Sequence, residues 1–231
     1  MILAATLQER LYRAFIYDDR YKLYFQGLGN TLLIAFLATL IGVAIGVVLA
    51  MINYVSKKTG KLKVLSAISK TYIMIIRGTP VVLQLFIMYF VVLASSNNGI
   101  AIGALTFGLN SGAYVAETIR SGIMAIDIGQ NEAGRSIGFS NLQTMWYIIL
   151  PQAFKNILPA VGNEMIALLK ETSVAGYVAV MDLTKAGNQI KNTTYDQVNP
   201  ILLVAIVYLI IVIVMTKLLG IMERRLRKSE H

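Results

Sequence analysis

Cysteine is absent from this chain, and histidine occurs once, as the terminal His231. Without cysteine the protein has no disulfide, no thiolate metal site and no cysteine nucleophile. A single histidine provides no cluster of imidazoles for a catalytic or metal centre, and we expect His231 to be idle. The chain also lacks a Gly-x-x-x-x-Gly-Lys-Ser/Thr sequence, the loop that binds ATP phosphates in many ATPases. We therefore predict no cofactor and no metal in this chain.

Charged residues are scarce as well, at 14% of the 231 residues, whereas 56% are hydrophobic. A soluble domain of similar length carries about 25% charged residues. One compact core cannot bury so much apolar surface, so we predict a single membrane domain. The net charge is +9, and the basic residues cluster beyond hydrophobic runs in "SKKTGKLK" (56–63) and "ERRLRK" (223–228). This pattern is typical of cytoplasmic loops and argues against nucleic-acid binding.

Five hydrophobic runs reach the length of about 20 residues that a spanning helix needs. They cover residues 27–55, 62–94, 100–119, 147–181 and 200–221. We therefore predict an all-α membrane protein with about five transmembrane helices. Residues 1–26 are predicted to be an amphipathic or interfacial segment, 27–222 the transmembrane domain and 223–231 a basic cytoplasmic tail. Five spans then place the N-terminus outside, and we expect no removable signal peptide.

Small residues and prolines predict local features of these helices. Gly42 and Gly46, four residues apart, allow a neighbouring helix to approach closely. "RGTP" (77–80) interrupts the second run, because proline removes a helix hydrogen bond. A plain kink explains this break; the alternative is that its unwound backbone, near Thr79, contacts a substrate. Pro151 and Pro159 are expected to bend or delimit the start of the fourth span.

Polar side chains inside the hydrophobic runs are candidate functional groups, because they are costly in lipid. Asn110, Tyr114, Glu117 and Ser121 share one helix face of the third run. Together with polar residues of the second and fourth runs, they predict a central polar cavity. The candidate substrate-binding residues are Asn163, Glu164, Gln84, Thr79, Glu117, Tyr114, Lys170 and Glu171.

Each candidate also has a structural alternative. Glu117 can instead form an ion pair with Arg120, and Lys170 and Glu171 can neutralise charges on neighbouring helices. Gln84 and Asn163 can form interhelical hydrogen bonds, and Tyr114 can serve in packing. Glu164 is the strongest candidate, because no opposite charge lies closer in sequence than Lys170. A buried carboxylate either becomes neutral or meets a cation, which here predicts a cationic substrate.

The polar segment "NEAGRSIGFSNLQTMWYIILPQ" (131–152) stands between two hydrophobic runs. It resembles the EAA loop, the cytoplasmic coupling loop of the permease subunits of bacterial ABC importers. Gly134 stands where alanine is usual, a change that weakens a helix by about 1 kcal/mol. The residues that carry the pattern, at the family spacing, are Glu132, Ala133, Gly134, Gly138, Ile148, Leu150 and Pro151.

"GQNEAG" (129–134) in the loop and four further blocks are similar to the polar amino-acid branch of these permeases, which imports histidine, lysine, arginine or glutamine. The four blocks are "RGTPVVLQLF" (77–86), "AYVAETIRSGI" (113–123), "ILPQAFKNILPA" (149–160) and "LLKETS" (168–173). The resemblance runs from about residue 21 to about residue 228. It implies a type I ABC importer permease fold.

The resemblance also implies partners and roles. A short helix-turn-helix near 127–146, within a coupling loop at about 125–148, docks on a cytoplasmic ATPase that binds ATP and Mg. The implied ATPase-coupling residues are Glu132, Ala133, Gly134, Gly138 and Pro151, of which the small ones keep the contact close. Further implied partners are a second permease copy, identical or paralogous, an external amino-acid-binding protein and a polar amino acid, carried by alternating access. Glu164 favours a cationic one among these.

Three rival functions remain open from sequence alone. An ion-gradient-driven amino-acid transporter needs its own coupling-ion site and usually internal repeats, and neither is visible. A membrane-embedded enzyme needs a catalytic cluster, which scattered carboxylates and one terminal histidine do not provide. A channel needs a filter sequence, and none is present.

Overall fold

The computed structural model describes residues 6–178 and 180–227. Every regular element within these ranges is helical, which confirms the predicted all-α class. His231 and the end of the basic tail lie outside the described residues. The α-helices are α1 Leu7–Phe15, α2 Tyr21–Thr59, α3 Lys63–Gly78, α4 Val81–Ile87, α5 Gly99–Met124, α6 Ile128–Ser136, α7 Asn141–Thr144, α8 Leu150–Glu171, α9 Leu183–Thr194 and α10 Asn199–Arg227. Tyr17–Asp19 and Thr172–Val178 are 3-10 segments, and Met88–Val92 and Met145–Ile149 are π segments.

Among the described residues, three helical stretches are long and apolar enough to cross a membrane. They are Tyr17–Thr59, Gly99–Met124 and Asn199–Leu226. A fourth candidate is the bent pair Lys63–Gly78 and Val81–Val92, if it counts as one broken span. These stretches correspond to four of the five predicted runs.

The remaining run, 147–181, forms α8 followed by a 3-10 segment, and it is not among the candidate spans. Polar side chains repeat along α8 and lower its hydropathy, among them Gln152, Lys155, Asn156, Asn163 and Glu164. Pro151 is the second residue of α8, directly after the π segment that leads into this helix, and Pro159 lies inside it; that either proline bends the helix stays a prediction.

The N-terminal part begins with the amphipathic helix α1. A capping box starts it: the Glu9 N–H donates to Thr6 Oγ1 at 3.3 Å, and the Thr6 N–H donates to Glu9 Oε2 at 3.0 Å. Such reciprocal bonds satisfy N–H groups that a helix start leaves open. Helix α2 begins at Tyr21, six residues before the predicted run at 27, because polar residues can extend a spanning helix beyond its apolar part.

The chain divides into two compact units. Unit 1 comprises the residues up to Ala38, Val81–Phe107 and Ile166–Met215. Unit 2 comprises Thr39–Pro80, Gly108–Met165 and the residues from Thr216 onward. Unit 1 has two apolar clusters. One contains Ile34, Leu85, Phe107, Leu168 and Val178, and the other contains Tyr24, Leu183, Ala186, Ile190 and Val204.

A buried aspartate fixes the start of α9 within unit 1. The Asp182 carboxylate accepts hydrogen bonds from the N–H groups of Thr184 and Lys185, at 3.1 and 3.0 Å. Burial raises the pKa of this carboxyl, and the two N–H donors oppose that rise. Two side chains of α2 bind the same stretch of chain: Asn30 Nδ2 donates to the Met181 carbonyl at 2.8 Å, and Thr31 Oγ1 accepts from the Leu183 N–H at 3.1 Å.

Unit 2 packs α2 against α5 through small residues. A Cβ added to Gly42 would lie 2.7 Å from Ser111 Oγ, and one added to Gly46 would lie 2.5 Å from Val115 Cγ1. Contacts this short do not occur, so only glycine allows this approach. The close helix contact predicted from the Gly42–Gly46 spacing is therefore confirmed.

The predicted break in the second hydrophobic run is also present. Helix α3 ends at Gly78, Thr79 is extended, and α4 begins at Val81. Thr79 Oγ1 donates to the Ile75 carbonyl at 2.9 Å and so occupies one of the last acceptors of α3. This bond supports the kink; contact of the break with a substrate stays a prediction.

Candidate functional site

The segment after α5 folds as a helix-turn-helix with its own caps. Asp127 Oδ1 accepts from the Gly129 N–H at 2.6 Å and starts α6. Ser140 and Gln143 form a capping box at the start of α7, with bonds of 3.2 and 2.8 Å. Because each helix satisfies its own first N–H groups, the segment holds its shape locally. This is the geometry that the EAA-loop resemblance implies.

Gly134 lets α6 approach the residues after it very closely. A Cβ on Gly134 would lie 2.7 Å from Thr144 Cγ2 and 2.8 Å from Ile148 Cδ1. Thr144 is fully buried. The glycine that lowers helix propensity at this position therefore gains close packing, a contribution that the sequence pattern did not reveal.

Gly138 has a different role, because its backbone lies in the left-handed region with φ +91°. No atom lies within 4 Å of a Cβ built on it. Glycine is needed here for the turn itself, since other residues adopt this conformation at a cost. Close contact of Gly138 with a partner stays a prediction.

The outer surface of this segment carries four exposed apolar side chains among polar ones. Ile137 is 70% exposed at the turn and Leu142 is 65% exposed on α7, while Ile128 and Trp146 are also exposed. Glu132 and Ala133 are exposed on α6. We call this set, defined by Ile128, Ile137, Leu142 and Trp146, the apolar knob. Ile137 and Leu142 were not among the predicted coupling residues, although large apolar residues in an otherwise polar segment were a usable signal.

Specific contacts join the helix-turn-helix to α8 within unit 2. Gln152 Nε2 donates to Gln130 Oε1 at 3.2 Å and to the Ile148 carbonyl at 2.8 Å. Gly122 of α5 packs on Ile157 of α8, where an added Cβ would lie closer than any real contact. Gln130 of α6 and Gly122 of α5 therefore both contact the helix that carries Asn163 and Glu164.

The eight predicted substrate-binding residues are divided between the two units. Unit 1 holds Gln84 and Glu171, both half-buried, and the exposed Lys170. Unit 2 holds the exposed Thr79 and Asn163 and the half-buried Tyr114, Glu117 and Glu164. The predicted central cavity stays a prediction.

A polar cluster does form within unit 2 at the end of α3. The Arg77 guanidinium lies over the Tyr114 ring, 5.2 Å from its centre. One turn further along α5, Glu117 forms an ion pair with Arg120, whose Nε lies 2.9 Å from both carboxylate oxygens. The pairing of Glu117 with Arg120, one of the two alternatives, is thus present. Arg77 was not among the predicted site residues, although it belongs to the "RGTP" break.

Most of this chain matches a known family of transport proteins. The profile of the family described as binding-protein-dependent transport system inner membrane component matches residues 42–228. This chain belongs to that family. The relationship predicted from the EAA-like segment is confirmed, and the chain is a multi-pass permease of the ABC importer type.

Individual relatives cover most of the chain. The putative glutamine transport system permease protein GlnP of Rickettsia bellii is 38% identical over 199 residues, which are 85% of this chain and 89% of the relative. The arginine transport system permease protein ArtQ of Bacillus subtilis is 35% identical over 208 residues, 89% of this chain and 93% of the relative. A crystal structure of an amino acid ABC transporter with histidines superposes with a TM-score of 0.81 at 39% identity, covering 89% of this chain and 94% of that one.

Proposed function

We propose that this amino-acid ABC importer permease carries cationic amino acids, such as arginine, lysine or histidine, by alternating access. The apolar knob on a self-capped helix-turn-helix is the observation that carries the coupling part of the proposal. ATP and Mg belong to a separate ATPase subunit, and an external binding protein delivers the substrate. A second copy of this permease completes the pathway, with the N-terminus outside and the C-terminus in the cytoplasm.

The apolar knob suits a groove on another protein. Exposed apolar residues rimmed by polar ones are typical of interaction sites, and Ile137 and Leu142 project from a segment with a fixed shape. Glu132 lies on the exposed surface of α6, where it can meet a basic group of the ATPase. The apolar knob is therefore the surface of the chain that binds the ATPase.

The contacts behind the knob supply the transmission. The Gln152–Gln130 bond connects the helix-turn-helix to α8, and the Gly122–Ile157 contact connects α5, which leads into that segment, to the same helix. A movement of the ATPase subunits then changes the position of Asn163 and Glu164. A ligand shifts such a two-state equilibrium only by binding the two states differently, so these side chains have to contact the substrate in one state more than in the other.

The substrate class follows from charge. An amino acid presents a carboxylate in every case, and a cationic one adds a positive side chain. Arg77, held over Tyr114, is suited to the carboxylate, and Glu164 is suited to the cationic group. A relative named for arginine supports this choice. A relative named for glutamine makes a neutral polar amino acid the alternative.

The test is uptake into proteoliposomes that contain the permease with its ATPase and binding protein. We expect Glu164→Gln to reduce arginine uptake at least tenfold and to leave glutamine uptake, if present, within twofold, because losing a charged hydrogen-bond partner costs about 1.5–3 kcal/mol. Glu164→Asp keeps the charge and is the matched control. Equal arginine uptake by Glu164→Gln and the parent would reject the substrate assignment.

The coupling assignment has a separate test. Ile137→Ser should lower uptake and ATPase stimulation together while the helical content and assembly of the permease are retained. Full uptake in vesicles that lack any ATPase would instead support an ion-gradient-driven transporter and reject the proposal.

The orientation of the chain in the membrane has its own test. Because the chain has no cysteine, single cysteines introduced at Ser95 and Lys58 can be labelled by an impermeant maleimide. We expect only Ser95→Cys to react from outside.

A further inference from the structure

The hairpin between α2 and α3 buries polar groups and exposes apolar ones. Ser66 Oγ donates to Asn53 Oδ1 at 2.8 Å, and Asn53 Nδ2 donates to Ser69 Oγ at 2.9 Å. Ser66 and Ser69 are 4% and 2% exposed. These three side chains satisfy one another between the helices, as polar groups do inside a membrane.

The opposite face of α3 is apolar and open. Val64 is 74% exposed and Ile68 is 61% exposed, and Leu65 beside them is about half exposed. At 100° per residue, Val64 and Ile68 lie opposite Ser66 and Ser69 on the helix. A helix in water buries its apolar side chains and exposes its polar ones, so the arrangement on α3 is the reverse of that pattern. Against lipid tails, exposed apolar side chains are favourable. The first turns of α3 therefore lie at the depth of the hydrocarbon.

Lysines surround this apolar face at the turn. Lys57 and Lys58 lie in the last turn of α2, Lys61 lies in the turn and Lys63 is the first residue of α3; all four are exposed. Gly60, at φ +68°, and Leu62, at φ +58°, make the turn tight, so the four lysines stay together. No acidic residue occurs anywhere from 51 to 80 to neutralise them.

We propose that this hairpin is a binding site for an anionic phospholipid. The apolar face of Val64, Leu65 and Ile68 contacts the acyl chains, and the four lysines extend their ammonium groups to the phosphate of the headgroup. Long basic side chains at a membrane boundary reach the headgroup level in this way. Each lysine near an anionic surface is worth about a fivefold gain in affinity. The proposal does not depend on the transport role.

The experiment measures lipid selectivity of the intact chain in phosphatidylcholine bilayers with trace spin-labelled phosphatidylglycerol. The triple variant Lys58→Gln, Lys61→Gln, Lys63→Gln is compared with a control of equal charge loss on α10, Lys217→Gln, Arg224→Gln, Arg225→Gln. We expect the parent and the α10 control to bind phosphatidylglycerol with similar preference over phosphatidylcholine. The hairpin variant should lose that preference by about tenfold or more, and the parent should lose part of it in high salt.

Each other outcome counts against the proposal. Equal loss in both variants would mean that general surface charge attracts the lipid. Unchanged selectivity in the hairpin variant would mean that the lysines do not bind it. If the hairpin variant instead binds its ATPase more weakly while lipid selectivity is unchanged, the hairpin is a protein contact. Because the three lysines are exposed, circular dichroism should show that the hairpin variant keeps an intact fold. A second variant, Ile68→Ser, tests the apolar contact: it should lower total lipid contact and leave the headgroup preference unchanged.

Discussion

Gly134→Ala tests whether close packing fixes the shape of the helix-turn-helix. The added Cβ would meet Thr144 Cγ2 at 2.7 Å, Ile148 Cδ1 at 2.8 Å and Thr144 Oγ1 at 3.0 Å. The end of Ile148 can rotate away. Thr144 cannot, because it is buried and its hydroxyl donates to the Ser140 carbonyl at 3.0 Å. Alanine is therefore expected to push α6 and α7 apart.

The magnitude is the difference of two effects. Overpacking costs about 1–3 kcal/mol, while replacing glycine by alanine in a helix gains about 1 kcal/mol. Because Thr144 is held in place, we expect a net loss of about 1–2 kcal/mol in the local opening free energy of 128–149. Gly220→Ala, in α10, has open space around the new Cβ and should show only the gain.

Hydrogen–deuterium exchange of the amides in 128–149 measures this local free energy, and uptake per ATP hydrolysed measures its effect on coupling. A loss of about 1–2 kcal/mol accelerates exchange by about fivefold to thirtyfold. Adding Thr144→Ala removes the obstructing atoms, so the double variant should be less impaired than the sum of the single ones by about 1 kcal/mol or more. Slower exchange of 128–149 in Gly134→Ala, like the slower exchange expected within α10 for Gly220→Ala, would show that the packing argument is wrong.

Two further substitutions test other parts of the fold. Gly138→Val forces a branched side chain into a left-handed backbone, which costs about 1–3 kcal/mol; uptake per ATP should fall, and normal coupling would contradict the importance of this turn. Asp182→Ala removes the cap of α9 and should lower unfolding stability in detergent by about 1–2 kcal/mol, whereas Asp182→Asn keeps an acceptor and should lose much less. Equal losses in the two Asp182 variants would show that the charge, and not the cap, stabilises unit 1.

Local chemistry decided which features were predictable from the sequence. Pro80 follows Gly78 directly after the end of α3, and the Gly42–Gly46 spacing permits close approach of α5, so both features appeared as expected. Helix α8 was harder to predict as a span, because the polar residues that repeat along it lower its hydropathy. The first hydrophobic run was predicted to begin at residue 27, whereas α2 begins at Tyr21, because polar residues continue the same helix.

Contacts between distant parts of the chain were not predictable in this way. No pattern near "RGTP" indicates that Arg77 lies over Tyr114, since 37 positions separate them in the sequence. The hydrogen bonds between Asn53 and the two serines Ser66 and Ser69 were not predictable either, because no sequence pattern marks any of these residues in its own segment. The role of Gly134 also depends on Thr144, which only the folded turn brings beside it.

The bonds of Asn30 and Thr31 also constrain the order of events during synthesis. Both side chains enter the bilayer with the first spanning helix, but their acceptor and donor lie 151 and 152 positions later in the chain. While the ribosome produces the intervening residues, α2 keeps two polar groups without their final partners. Unit 1 therefore reaches its finished arrangement only after Met181 and Leu183 have left the ribosome, and a chain interrupted before that point leaves Asn30 and Thr31 without these two bonds.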